Sequence, residues 1–159
     1  MKLQRILSGG QTGVDRAALD ACLEAGFPCG GWCPAGRKAE DGRISLRYPL
    51  QESMSGTYDE RTRLNVYDSD ATLIIFSREL TGGTLLTYNY CRSTNKPVFL
   101  FEVSPFFIEE TMNQLIQFLS IHSIRTLNIA GPRASQWPQA YEAGRLITTQ
   151  LISQLKASF

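Results

Sequence analysis

The stretch Leu3-Gln-Arg-Ile-Leu-Ser-Gly-Gly-Gln-Thr-Gly-Val-Asp15 reads as a strand end, a glycine turn and the first turn of a helix. A short apolar run, Leu3 to Leu7, stops at Ser8-Gly9-Gly10-Gln11-Thr12-Gly13, and helical spacing begins at Val14. A chain that turns through glycines from strand to helix aims backbone N–H groups and the positive helix end at one point. Such a point suits an anion, most often phosphate. The glycines fall as G-G-x-x-G rather than the dinucleotide pattern G-x-G-x-x-G, and no Lys-Ser/Thr follows Gly13 as a Walker A loop requires. The expected ligand is a phosphorylated small molecule held by backbone, outside those two nucleotide classes.

The strand-then-helix theme recurs along the chain. Val14, Ala17, Ala18, Ala21, Cys22 and Ala25 form a small-residue helix face closed by Gly26, a natural C-cap. Pro28 to Trp32 reads as a second strand. Residues 34–56 show no period and predict a long loop with one short element at Leu46 to Leu50. Thr57-Tyr-Asp-Glu60 matches a capping box and predicts a helix over 58–68. Ala71 to Phe76 is a continuous apolar strand of the kind buried on both faces of a parallel sheet. Gly82-Gly83-Thr84 opens a helix to about Ser93, and Pro97 to Phe101 makes a fourth strand. Ser104-Pro105 predicts the start of a helix that turns Phe107, Ile108, Met112, Leu115, Ile116 and Leu119 inward. Arg125 to Ala130 is a fifth strand, and residues 136–156 form a last helix burying Ala140, Ala143, Ile147, Leu151 and Leu155. This alternation predicts a single α/β domain over residues 1–159, with a doubly wound, mostly parallel sheet of about five strands and helices on both faces.

Composition narrows the function. A formal net charge of +1 gives no reason to expect nucleic-acid or membrane-surface binding. No apolar run approaches a membrane span, and Met1-Lys2 leads into a strand with polar members rather than a signal peptide. Cys22, Cys29, Cys33 and Cys91 have no disulfide spacing, and Cys29-x-x-x-Cys33 lacks the second pair or histidines that zinc requires. They read as buried thiols in a reduced, cytoplasmic setting, with no metal site.

In an open parallel sheet, ligands bind beyond the carboxyl ends of the strands, where the strand order switches. Four unusual loops fall there: Ser8–Gly13, Pro34–Gly42, Ser77–Thr84 and Gly131–Ser135. Each carries glycine with a hydroxyl or an arginine, so together they predict one phosphate-binding crevice.

Ser8-Gly-Gly-Gln-Thr-Gly-Val-Asp-Arg-Ala-Ala-Leu-Asp20, Gly31-Trp-Cys-Pro-Ala-Gly-Arg-Lys-Ala-Glu-Asp-Gly42, Gly82-Gly-Thr84 and Asn128-Ile-Ala-Gly-Pro-Arg133 resemble the molybdenum carrier family. That family lies in the circularly permuted YpsA-like branch of the SLOG superfamily, related to DprA and to the LOG, or "lysine decarboxylase-like", proteins. The resemblance spans nearly the whole chain. It implies a Rossmann-like sheet, a homo-oligomer (dimer or tetramer), and binding, storage and transfer of the molybdenum cofactor, a phosphorylated pterin whose dithiolene holds the metal. Molybdoenzymes would be the recipients.

The residues themselves suggest how a ligand would be held. The N–H groups of Gly10 to Gly13, beside Gly9 and Gln11 and with the Thr12 hydroxyl, can surround one phosphate. Gly82, Gly83 and Thr84 can take a second anion, or cap their helix. Asp15 would repel a phosphate at its own helix end unless it turns sideways to a pterin or ribose donor or pairs with Arg16 or Arg37. Arg37, Lys38 and Arg133 are the cations expected at the crevice, with Pro34 opening the second loop and Glu40 and Asp41 neutralising Arg37 and Lys38. Trp32, Tyr48, Trp137 and Tyr141 can stack on a ring or pack inside the domain.

Two rival functions share this crevice. A LOG-like hydrolase of nucleoside monophosphates uses an acidic residue soon after its glycine loop, but Gly82-Gly-Thr-Leu-Leu-Thr-Tyr88 has none, leaving Asp15 or Asp41 for that chemistry. A nucleotide sensor would take an AMP-like ligand in the same place. His122 lies away from every loop, so neither Cys-His nor Ser-His-Asp machinery is visible and no catalytic residue is assigned. A carrier, needing placed donors but no proton shuttle, is the preferred reading.

Overall fold

The computed structural model describes residues 2–158; Met1 and Phe159, the ends of the expected 1–159 span, lie outside the described residues. In chain order the elements are β1 (Arg5–Leu7), α1 (Val14–Ala25), β2 (Cys29–Gly30), β3 (Trp32–Cys33), β4 (Lys38–Ala39), β5 (Gly42–Arg43), β6 (Gln51–Glu52), α2 (Tyr58–Tyr67), β7 (Ala71–Phe76), α3 (Gly82–Ser93), β8 (Val98–Glu102), α4 (Ile108–Ile121), β9 (Thr126–Ala130) and α5 (Ala140–Ala157). Five strands make the central sheet in the order β2-β1-β9-β7-β8, all parallel. This is the Rossmann-like α/β domain that the alternation predicts.

β7 shows why the sheet is covered on both sides. Its residues are all buried. Leu73 and Ile75 join Ile6, Leu127 and Ile129 in a core completed by Val14, Ala18 and Cys22 of α1, Met112 and Leu115 of α4, and Ala143, Ile147 and Leu151 of α5. The alternate residues Thr72, Ile74 and Phe76 face the other way, and α3 and α2 pack together. The small face of α1 lets α5 come close: a Cβ at Gly144 would sit 2.9 Å from the Ala17 methyl and 3.1 Å from Val14 Cα. Gly26 ends α1 in the left-handed region at φ 63°. There the Phe27 N–H donates to the Cys22 carbonyl at 2.9 Å, as in a Schellman close.

Several local expectations differ. The Thr57 side chain makes no cap bond to α2; Glu60 instead accepts from the Ser55 N–H at 3.0 Å, and Thr57 pairs with the Ser55 hydroxyl. α4 begins at Ile108 rather than near Pro105, because residues 104–107 close a turn through Phe107 N–H to the Ser104 carbonyl, which leaves the Phe107 side chain exposed. The last helix starts at Ala140, after turns over 134–139. Leu46 to Leu50 forms no strand. The long loop instead carries the antiparallel β4–β5 hairpin, and β6 pairs with β3.

Candidate functional site

Three of the four expected loops meet at the carboxyl edge of the sheet. Gln11 and Asp15 after β1, Gly83, Thr84 and Thr87 of α3 after β7, and Gly131 and Arg133 after β9 line one narrow cleft, with Arg61 and Thr62 of α2 closing it. It encloses about 30 Å³. That is room for one or two waters, or for the oxygens of one small anion.

The floor of the cleft is an ion pair that the sequence did not reveal. Arg61 Nη1 lies 2.8 Å from Asp15 Oδ2, with side-chain exposures of only 15% and 4%. Burial pushes the Asp15 carboxyl above its ordinary pKa, while Arg61 pulls in the opposite direction. Asp15 therefore pairs with neither Arg16 nor Arg37. The signal for this contact is Gly9. Its φ is not positive, so no turn demands glycine there. A Cβ at Gly9 would instead fall 1.7 Å from Arg61 Nη1, so the glycine makes room for the guanidinium. A second close approach sits behind the turn: a Cβ on Gly31, at φ 130°, would come within 2.2 Å of the Ser8 carbonyl oxygen.

Gln11 joins the cleft to the loop outside it. Its Oε1 accepts from the Thr12 N–H at 3.0 Å and from the Glu40 N–H at 2.9 Å. Its Nε2 is buried and has no hydrogen-bond partner, and Arg61 Nε is in the same state. Two buried donors without acceptors, on two residues that line one cleft, are costly unless something anionic or carbonyl-like meets them. Beside them stand the first turn of α3, with Gly83 and Thr84 at its positive end, and Arg133, whose guanidinium lies 5.4 Å from the Tyr58 ring centroid.

The glycine turn is less open than expected. Within it the Thr12 N–H is taken by Gln11, and the Val14 N–H donates to the Pro132 carbonyl at 3.3 Å. Gly10 and Gly13 have positive φ, and a Cβ at Gly13 would strike the Pro132 carbonyl oxygen at 2.4 Å. The Thr12 hydroxyl binds the Glu40 carboxylate and accepts from the Ala134 N–H at 3.2 Å. Arg16 grips Asp41 through both η nitrogens and donates to the Gly10 carbonyl, so it braces the turn from outside. Gly82 opens α3 at φ 53° beside Gln136, which also lines the cleft.

The second loop does not deliver its expected cations to the cleft. Arg37 is buried and donates to the carbonyls of Ile44, Ser45, Tyr48 and Leu50 at 2.7–3.2 Å. Those four acceptors make it the internal brace of a long loop rather than a ligand cation. Lys38 is exposed on the β4–β5 hairpin, and buried Pro34 accepts from the Arg37 N–H in a turn. Glu40 and Asp41 neutralise Arg133 and Arg16 instead of Arg37 and Lys38. Of the four expected stacking rings none lines the cleft: Tyr48 and Tyr141 both donate to Asp20, the Trp32 indole donates to Asp68, and Trp137 lies against the main core. Tyr58 is the ring beside the two site arginines.

Among the described residues no group of three or more His, Cys, Asp or Glu side chains could hold a metal ion, and no helix is long and apolar enough to cross a membrane. The four cysteines are free thiols, with Cys22, Cys33 and Cys91 buried and Cys29 half-buried.

A parallel sheet whose polar cleft lies at the switch between β1, β9 and β7 defines a Rossmann-like domain of the kind that places ligands at strand ends. Residues 6–152 match the Circularly permutated YpsA SLOG family, and the chain belongs to it. It is similar to a solved structure from Syntrophus aciditrophicus SB described as "Putative molybdenum carrier protein". The two share 42% identity over 94% of each chain, with a TM-score of 0.90. Among curated proteins there is no match.

Proposed function

We propose that this chain binds the molybdenum cofactor at the cleft between β1, β9 and β7, through the cofactor's phosphate, and stores it for transfer to molybdoenzymes. The observation that carries the reading is the buried, unpartnered Gln11 Nε2, which shares the cleft with Arg61, Arg133 and the positive end of α3. Such a donor set fits a phosphate. The cleft holds only anion oxygens, so the pterin ring lies outside it. The similarity to a protein described as a molybdenum carrier supports this choice over other phosphorylated ligands. Cytoplasmic storage by a homo-oligomer belongs to the same reading.

A carrier is favoured over a nucleotide hydrolase by one further observation. Asp15 and Asp41, the carboxylates that hydrolysis would need, are held in ion pairs with Arg61 and Arg16. Anaerobic titration with molybdenum cofactor, with AMP in parallel, tests the proposal. Saturable cofactor binding that is lost in Gln11→Leu supports it. AMP binding without cofactor binding overturns it, and release of adenine from AMP would then mark an enzyme rather than a sensor.

A further inference from the structure

The strongest unexplained feature lies just outside the cleft, where an anion is already seated. Glu40 reaches from the turn of the β4–β5 hairpin to the far loops. Its carboxylate accepts from the Thr12 hydroxyl, from the Ser135 N–H at 3.2 Å and from the Ser135 hydroxyl at 2.6 Å. Arg133 Nη1 faces it at 4.0 Å. Two hydroxyls, a backbone N–H and a guanidinium converging on two oxygens from loops more than ninety residues apart form an oxyanion receptor; desolvation pushes the carboxyl up, but together these contacts outweigh it and hold the carboxyl below its ordinary pKa. The Glu40 N–H is itself bound to Gln11 Oε1, so the side chain with the unpartnered donor in the cleft also anchors this residue.

We propose that Thr12, Ser135 and Arg133 form an outer binding seat for a phosphate or similar oxyanion group, and that the Glu40 carboxylate fills this seat until a ligand displaces it. The idea rests on the reading above that the crevice takes an anionic ligand. Displacement needs only a turn of the Glu40 side chain, since its backbone stays tied to Gln11 and its neighbour Asp41 to Arg16. An intramolecular competitor reduces apparent affinity by the fraction of time it leaves the seat empty. Removing it raises affinity by the same factor.

Inorganic phosphate is the probe, titrated calorimetrically into wild type, Glu40→Gln and Glu40→Ala, with thermal melts to confirm folding. The expected result is tighter phosphate binding in both variants, about fivefold or more, with the gain abolished by adding Arg133→Ala or Ser135→Ala. Equal or weaker phosphate binding in the Glu40 variants, with wild type still binding phosphate, overturns the masking while leaving the cofactor reading intact. Phosphate binding to none of the proteins overturns the outer seat, while the cofactor reading stands or falls by its own titration. If the Glu40 variants do not fold, Arg133→Ala decides: it removes the cation of the seat but leaves the Thr12 and Ser135 bonds to Glu40 in place, so phosphate affinity must fall below that of wild type, and an unchanged affinity refutes the seat.

Discussion

Replacing Arg61 by alanine would strand the Asp15 carboxylate beneath the glycine turn. At 2.8 Å and an effective dielectric constant of about 20, the gross attraction between the two charges is about 6 kcal/mol. Desolvation offsets much of that, and breaking one side of a buried pair has a net cost of about 3–5 kcal/mol. Arg61 keeps some solvent contact, so about 3 kcal/mol is the working figure, a fall in Tm of roughly 6–12 °C for a domain of this size. The pH dependence supplies the sharper test. The folded-state pKa of Asp15 already lies above the ordinary value of 3.8. The native state therefore holds the proton more tightly than the unfolded chain does, and stability falls as pH rises from about 4 through the folded pKa. Without Arg61 that folded pKa rises further. The deficit of Arg61→Ala should thus be largest at pH 7–8 and shrink as the buffer is taken toward pH 5. Urea denaturation across that range measures it. In the Arg61→Ala background, Asp15→Asn should recover most of the lost stability by removing the stranded charge. Gly9→Ala, whose methyl would displace the guanidinium, should reproduce part of the defect. A deficit independent of pH, or a double variant no more stable than Arg61→Ala, would refute the reasoning.

Other outcomes follow from individual contacts. Gly31→Ala drives a methyl into the Ser8 carbonyl and should cost more than about 3 kcal/mol, whereas Gly36→Ala, with open space around its Cβ at φ 82°, should cost only about 1–2 kcal/mol; chemical denaturation of the pair separates steric clash from backbone strain. Arg37→Met removes four hydrogen bonds and leaves the Ile44 and Leu50 carbonyls without a donor, while those of Ser45 and Tyr48 keep backbone N–H partners; it should destabilise by about 2–3 kcal/mol, with faster proteolysis between residues 43 and 50 than in wild type, and an unchanged melt would show that the loop stands without its brace. Arg133→Ala removes a long, partly exposed pair to Glu40 and a cation–π contact with Tyr58, each worth little at the surface, so Tm should fall by no more than a few degrees, while affinity for the phosphorylated ligand falls about ten- to hundredfold, measured by titration.

The regular elements were legible because their signals are local. The run Ala71 to Phe76 and the glycine opening at Gly82 gave strand and helix limits that match β7 and α3 residue for residue. Gly26 gave the end of α1 through a left-handed conformation that suits glycine. The first cleft loop was readable for the same reason: Gly10 and Gly13 take positive φ within the turn, and Gly13 also lies against the Pro132 carbonyl. What failed was partner choice. An arginine carries no mark of its acceptor, so Arg37 looked like a ligand cation although four carbonyls in its own loop claim it. Arg61 was overlooked because it sits among other charges on an exposed-looking helix, and its carboxylate lies 46 residues upstream. The β4–β5 hairpin was hidden because two-residue strands leave no period to read.

The position of β9 has a consequence for how this protein is made. The strand that joins the two walls of the crevice is the last to be synthesised, and it lies between β1 and β7. On the ribosome the segment from Arg5 to Ile121 emerges with β1 and β7 unable to share the neighbour that aligns them. Both strands must wait with unpaired backbone edges and uncovered apolar faces until residues 126–130 arrive, so the crevice forms in a late, long-range step rather than growing with the chain. Truncation or stalling before Ala130 would therefore yield an aggregation-prone chain with no partial site, and pulse-labelled nascent chains should gain protease resistance only after that strand has left the exit tunnel.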